Sequence, residues 1–387
     1  MKTNVAQVGL DVHKSFSRLT ERDALGKVVG RGRLDHRDRT RLRRRIGQWA
    51  VGTPVVLEST FGWGWLSDEL LEAELDPHLA NSCKVAAWRK ARGIAKTDRT
   101  DADLLSELPL QSEPWWEVWL APPAVRDQRE WMRYRMTLVQ MQTGLKNRIH
   151  AVLHRHGIVQ AYSDLFGTAG RSFLRDLTAS DDITLSMSGR MTLSGYLELL
   201  EQVRRMIAQV TRELRKQLNR APEGERLRSL PGISWILGYV VFAEIGKIER
   251  FTNAKHLCSY SLLVPRAHET GDPGDEPPKG RHVGHVGRRT LKWAFIEGAH
   301  GAVRKSARFR AIFDKRTGGG KRDKNRGYIA VAHELCRMAY VIWTKQEMYS
   351  ETVVARPGQR DRAGRSSKRR TSRSGMGQPD HPMVVAS

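Results

Sequence analysis

The sequence predicts an α/β domain at the N-terminus, followed by two long helices and a mostly helical C-terminal domain. Over residues 1–110, short apolar runs bounded by turn residues give way to alternating helix-like and strand-like stretches, which is typical of a mixed sheet flanked by helices. Beyond residue 123, apolar residues recur at alternating intervals of three and four, which indicates long amphipathic helices.

The first three elements of the α/β domain are predicted strands. Residues 5–12 form an apolar run, and residues 16–20 and 27–34 flank the sequence DALG at 23–26. A short polar segment that ends in glycine between two strand-like runs indicates a hairpin turn.

The later elements of this domain alternate in type. Helices are predicted over residues 37–50, 65–74 and 98–108, where Pro109 ends the last one. Strands are predicted over residues 54–58 and 78–80.

Two heptad patterns follow. The first contains Trp131, Tyr134, Leu138, Met141 and Leu145, and the second contains Tyr196, Leu200, Val203, Ile207, Val210, Leu214 and Leu218. They predict two long helices packed as an antiparallel coiled coil or hairpin. The predicted domains are 1–110, 111–222 with the helices and a small insertion, 223–350, and a disordered basic tail over 351–387.

Charge and composition narrow the function. Lys and Arg number 66 against 42 Asp and Glu, which leaves a formal net charge of +24 and favours a polyanionic partner, nucleic acid first. The three cysteines are far apart and odd in number, which argues against a disulfide framework or a zinc module and fits a reducing cytoplasm. The sequence shows neither a signal peptide nor a membrane span, so we expect no membrane partner.

Carboxylates stand at the ends of two predicted strands and at the start of a helix. Asp11 ends the first strand, Glu58 ends PVVLE, and Asp98 and Asp101 share one helix face, whereas Asp103 falls on another. Four acids at one sheet edge would bind two Mg²⁺ ions, which prefer oxygen ligands. The alternative is that the helix acids only offset the helix dipole and pair with Arg99, and that Asp11 is a turn residue.

Six motifs in order carry a family resemblance. GLDVHK, VVLEST and KTDRTDADLL resemble the N-terminal domain of the insertion-sequence 110 family of transposases. LRSLPGISWILGYVVFAEIGKIERF, LCSYSLLVPRAHETG and GHVGRRTLKWAFIEGAH are similar to that family's C-terminal transposase domain. The resemblance implies a RuvC-like, ribonuclease-H-like domain over 1–110, with Asp11, Glu58, Asp98 and Asp101 as the catalytic, magnesium-binding DEDD acids.

The resemblance also implies a hydroxyl nucleophile. The family has a serine where this chain has Thr270, in PRAHETG, so either Thr270 is the nucleophile, or a neighbour such as Ser259 or Ser261 takes that role, or this copy is impaired. We favour Thr270; the alternative is that it only starts a turn with Gly271. Further implied features are double-stranded DNA at the element ends and target, an element-encoded structured RNA, and a homodimer or homotetramer joined by the coiled coil. We expect this assembly in the cytoplasm, on the nucleoid.

Several residues are candidates for nucleic-acid contacts. Pro231 and Gly232 resemble the turn of a helix-hairpin-helix, or else simply start a helix. The basic candidates are Arg281, Arg288, Arg289, Lys292, Lys321 and Arg322. We interpret His13 as a hydrogen-bonded structural histidine rather than a proton-transfer group.

Two other functions fit parts of the sequence. A RuvC-type junction endonuclease would use the same four acids with water as the nucleophile. A decayed, non-catalytic copy would keep only the basic DNA-binding surface.

Overall fold

The computed structural model describes residues 5–111, 116–179, 185–264 and 288–351. The chain divides into two compact units, residues 1–210 and residues 211–387. The predicted tail lies outside the described residues apart from Glu351.

A six-stranded mixed sheet forms the first unit's framework. Its strands are β1 (Gln7–Val12), β2 (Phe16–Arg22), β3 (Val28–Asp35), β4 (Pro54–Glu58), β5 (Asp76–Ala80) and β6 (Glu117–Val118). Their order is β3-β2-β1-β4-β5-β6, with β1, β4 and β5 parallel and the remaining pairs antiparallel. The mixed sheet and the hairpin between β2 and β3 confirm the predicted α/β domain.

Four helices cover this sheet: α1 (Arg39–Ile46), α2 (Trp63–Glu72), α3 (Ser82–Ala91) and α4 (Asp98–Glu107). Helices α1, α2 and α4 lie within or beside their predicted ranges, whereas α3 and β6 were not predicted. The start of α3 is fixed by the Asn81 side chain, which accepts a hydrogen bond from the Lys84 amide. Such a cap adds no hydrophobic periodicity to the sequence, so the apolar pattern did not predict this helix.

The two faces of the sheet bury different cores. Side chains alternate along a strand, so Leu10 and Leu57 point to a core that also contains Leu42 of α1 and Leu66 of α2. The opposite core is smaller and comprises Val56, Ala80, Val85, Leu105 and Leu108. Odd-numbered β1 residues, including Asp11, therefore share the face covered by α4.

Two long helices follow, α5 (Pro123–Arg155) and α7 (Met187–Arg220), with α6 (Thr168–Ala179) between them. The end of α5, α6 and the start of α7 enclose one apolar cluster that includes Ile149, Leu174 and Leu193. The two predicted long helices are confirmed, and the intervening insertion contains α6. A continuous coiled coil stays a prediction.

The second unit is helical in its described part. Its helices are α8 (Pro222–Ser229), α9 (Trp235–Ile245), α10 (Ala254–Tyr260), α11 (Arg289–Lys305), α12 (Ala307–Thr317) and α13 (Lys324–Lys345). Helix α13 packs against α8, α10, α11 and α12, and Glu334 on it accepts hydrogen bonds from Arg308 and Arg337. None of the helices in the described ranges has the length and apolar character needed to cross a membrane.

Candidate active site

Strands β1 and β4 bring the first two acids together. The strands are parallel, with Leu10 beside Leu57, so Asp11 and Glu58 follow at the same edge. Asp11 is buried and Glu58 is half-buried. Because a buried carboxylate is costly without a compensating charge, this edge of the sheet is suited to a cation.

Helix α4 adds the other two acids. Thr97 caps it by accepting a hydrogen bond from the Thr100 amide at 3.1 Å, and the Thr97 amide donates one to the Thr100 hydroxyl at 3.0 Å. This capping box sets Asp98 in the first turn, and Asp101 follows on the same face.

Gly9 allows α4 to approach the strand that carries Asp11. A Cβ at this position would lie 2.3 Å from the Ser106 nitrogen and 2.4 Å from the Ala102 oxygen. Strand and helix therefore touch backbone to backbone, which brings the helix acids close to the strand acids.

His13 lies between two of the acids. Its Nε2 is 3.0 Å from Asp11 Oδ2 and 3.5 Å from Asp98 Oδ2. The three side chains each offer a ligand atom, and these atoms lie within 4.8 Å of one another. The ring also stacks on Phe16, with centroids 4.6 Å apart. His13 is hydrogen-bonded, as predicted, and its partner is one of the site's acids.

The acids act on one another electrostatically. Burial raises the pKa of Asp11, and Asp101 and Asp98 raise it further, while His13 opposes the shift. Burial also raises the pKa of Glu58, with Asp11 and Asp101 adding to the effect. The negative charge at this edge is therefore only partly compensated by the chain's own cations. A divalent cation with oxygen ligands fits such a set of donors.

Asp101 has a partner that the sequence analysis missed. Arg89 of α3 donates to it at 2.8 Å, and both side chains are 16% exposed. On sequence alone, Arg99 is considered as the partner of the helix acids instead. The contact between Arg89 and Asp101 could not be predicted, because it depends on the position of α3, a helix that the sequence pattern does not indicate.

Asp103 has a structural environment. It accepts hydrogen bonds from Thr20 at 2.7 Å and from Arg31 at 3.0 Å, away from the other acids. The structure thus separates Asp103 from the four candidate acids, in agreement with its predicted position on another helix face.

The nucleic-acid candidates have varied surroundings. Gly232 has φ +83°, and a Cβ there would lie 2.1 Å from the Gly298 oxygen of α11, so close packing explains this glycine. Arg288 donates to the Tyr260 hydroxyl at 2.8 Å and lies 3.6 Å from Glu244. Pro231 and Lys292 are half-buried, and the exposed candidates are Arg289, Lys321 and Arg322. Thr270 and Arg281 lie outside the described residues.

Comparison with known families agrees with this geometry. Residues 8–158 match the model of DEDD-type IS110 transposases, and residues 224–314 match the "Transposase IS116/IS110/IS902 family". The chain belongs to the IS110 family of transposases. It is thus an enzyme of the transposase class.

Two curated relatives span nearly the whole chain. The transposase for insertion sequence element IS1111A of Coxiella burnetii is 24% identical over 88% of this chain and 90% of its own length. The transposase for insertion sequence element IS1328 of Yersinia enterocolitica is 22% identical over 90% of this chain and 99% of its own.

Proposed function

We propose that this transposase cuts and rejoins DNA at the ends of its own insertion sequence by phosphoryl transfer. The observation that supports this most strongly is the approach of Asp98 on α4 to Asp11 on β1, with Glu58 at the same sheet edge. Carboxylates gathered in this way are the usual ligands of divalent metals in phosphodiester chemistry.

The metal ligands we propose are Asp11, Glu58, Asp98 and Asp101, for two Mg²⁺ ions. When bound, the ions would stabilise the negative charge that develops on the phosphate in the transition state. Arg89 would hold the Asp101 carboxylate in place, and His13 would orient that of Asp11. Both are positioning residues in this scheme.

The proposed nucleophile is the Thr270 hydroxyl. Its oxygen would form a bond to phosphorus while one P–O bond of the DNA breaks, and the departing oxygen would take a proton. A hydroxyl of the exchanged strand would then attack the protein–DNA phosphodiester and release Thr270. The number of phosphodiester bonds is unchanged at the end, so the exchange needs no external energy source.

The proposed partners are the DNA ends, the target, and an element-encoded structured RNA whose pairing selects the sequence. We also propose a homodimer or homotetramer joined through the long helices. Trp131, Tyr134 and Met141 on α5 support this, because they are 40%, 40% and 53% exposed although they occupy heptad positions.

The test is cleavage of element-end DNA by the full chain in Mg²⁺, with the element's flanking transcript present. We expect Asp11→Asn and Glu58→Gln each to lower the cleavage rate by roughly 100-fold or more. The matched control is Asp76→Asn, at the opposite edge of the same sheet, which should cleave normally. Unchanged cleavage in both acid variants would disprove the assignment.

A second measurement addresses the nucleophile. A protein–DNA adduct that survives denaturation should form with Thr270→Ser and be absent with Thr270→Ala. An adduct that persists in Thr270→Ala would transfer the role to another hydroxyl.

A further inference from the structure

A basic groove adjoins the acidic edge on the α4 side of the sheet. Register pairs Arg18 of β2 with Arg33 of β3, and side-chain alternation puts both on the face that α4 covers in part. The start of α4 borders the same groove with Thr97, Asp98 and Arg99. The groove is open to solvent and has a volume of about 720 Å³. Because Asp98 belongs to both, the groove opens directly onto the candidate active site.

The arginines are held next to the site by a row of stacked groups. The Phe16 ring stacks on the His13 ring, with centroids 4.6 Å apart. The Arg33 guanidinium lies 4.0 Å from the Phe16 centroid, and that of Arg18 lies 5.7 Å away. These contacts with the ring hold two cations beside His13, which contacts Asp11. An aromatic ring does not neutralise the charge of an arginine, so both stay positively charged.

The charge of this groove is largely uncompensated. Arg31, which also borders it, is neutralised by Asp103 at 3.0 Å. Among the described residues, no carboxylate forms an ion pair with Arg18 or Arg99, and both side chains are exposed. Cations left free in a cleft attract an extended anion.

We propose that this groove binds the phosphate backbone of the DNA strand that is being cut, on one side of the scissile phosphate. The inference rests on the proposed function and adds to it the path of the substrate strand. The four acids repel the backbone, so a strand can lie across them only if nearby cations hold its flanking phosphates. Arg18 and Arg99, which line the groove, are the residues that can do this.

The test compares two double variants of the full chain. Arg18→Ala with Arg99→Ala removes two groove cations. Arg41→Ala with Arg44→Ala removes the same charge from exposed positions on α1, which packs on the other face of the sheet. Equal melting temperatures of the variants and the unmodified protein would show that folding is intact.

The readout is binding of a fluorescent 20-nucleotide DNA strand in EDTA over a range of salt concentrations. Each phosphate contact contributes about 0.7 to the slope of log K against log salt for a single strand. The groove variant should therefore lower that slope by roughly 1.4, and the α1 variant should lower it clearly less. Equal losses in both variants would overturn the proposal, because they would indicate only diffuse attraction.

The same variants distinguish the occupant and the underlying function. If the groove variant weakens binding of an RNA of the same sequence but leaves DNA binding intact, the occupant is RNA and the proposal is wrong. If the slope changes as expected but the unmodified protein never cleaves in Mg²⁺, the groove stands and the proposed function fails. If the unmodified protein cleaves normally but both double variants show the same salt slope, the proposed function stands and the groove proposal fails.

Discussion

Replacing Gly9 by alanine tests how the active site is assembled. Gly9 is in β1, two residues before Asp11, and its Cα faces the backbone of α4. The added methyl would lie 2.3 Å and 2.4 Å from two backbone atoms of the helix, where ordinary contact begins at 3.4 Å. Backbone atoms of a packed helix cannot rotate away as a side chain can, so α4 must move by about 1 Å.

This displacement has two expected costs. Overpacking of this kind destabilises by about 1–3 kcal/mol. A 1 Å shift of Asp98 and Asp101 relative to Asp11 would also misplace the reacting groups, which costs about 100-fold in rate. We therefore expect cleavage to fall by more than the loss of folded protein explains.

Urea unfolding of the full chain gives the free-energy change, and DNA cleavage in saturating Mg²⁺ gives the rate. The matched stability control is Gly32→Ala in β3, whose Cβ would meet Leu19 side-chain atoms at 3.6–3.7 Å on the other face of the sheet. A Gly9→Ala protein as stable and as active as the original would refute the claimed strand–helix contact.

Two further predictions concern the second unit. Gly232→Ala should destabilise the fold by at least about 3 kcal/mol in urea unfolding, because it combines a left-handed backbone with a clash against the Gly298 backbone. Gly319→Ala should lose only about 1 kcal/mol, because its φ is also positive, at +70°, but the space around it is open. Similar losses would show that the close approach to α11 is not the cause. For Glu334, burial raises the pKa but hydrogen bonds and charge from its two arginines outweigh it, so the folded pKa lies below the ordinary 4.5. The Glu334 carboxylate therefore stabilises the fold above pH 4.5, and this stabilisation is lost as pH falls through the folded pKa. Glu334→Gln should cost roughly 1–3 kcal/mol at pH 7 and progressively less below pH 4.5. A cost independent of pH would contradict this reasoning.

Much of the first unit could be predicted from local pattern. The strand Pro54–Glu58 was predicted with its observed bounds, because a short apolar run ending in a charge identifies a buried strand and its edge. The start of α4 at Asp98 was also predicted. In contrast, α3 has one buried residue, Val85, and so lacks the apolar periodicity that identifies a helix.

For the two long helices, the sequence predicted their presence but not what packs against them. Their existence followed from the heptad spacing, and both are present over more than 30 residues. What packs against each heptad position did not follow. Leu138 is buried while Met141, at the next heptad position, is exposed, because burial depends on which neighbour the helix meets rather than on its own spacing.

Sequence alone predicted four candidate acids, because their motifs occur in family order, and located the strand ends that carry two of them. It could not reveal that His13 contacts both Asp11 and Asp98, that Arg89 holds Asp101, or that free arginines line a groove beside them. Those relations join residues up to 85 positions apart, and they arise from the parallel pairing of β1 with β4 and the close contact of α4 with Gly9. Local preference acts over a few residues, whereas the distances between charged groups are set by how the elements pack.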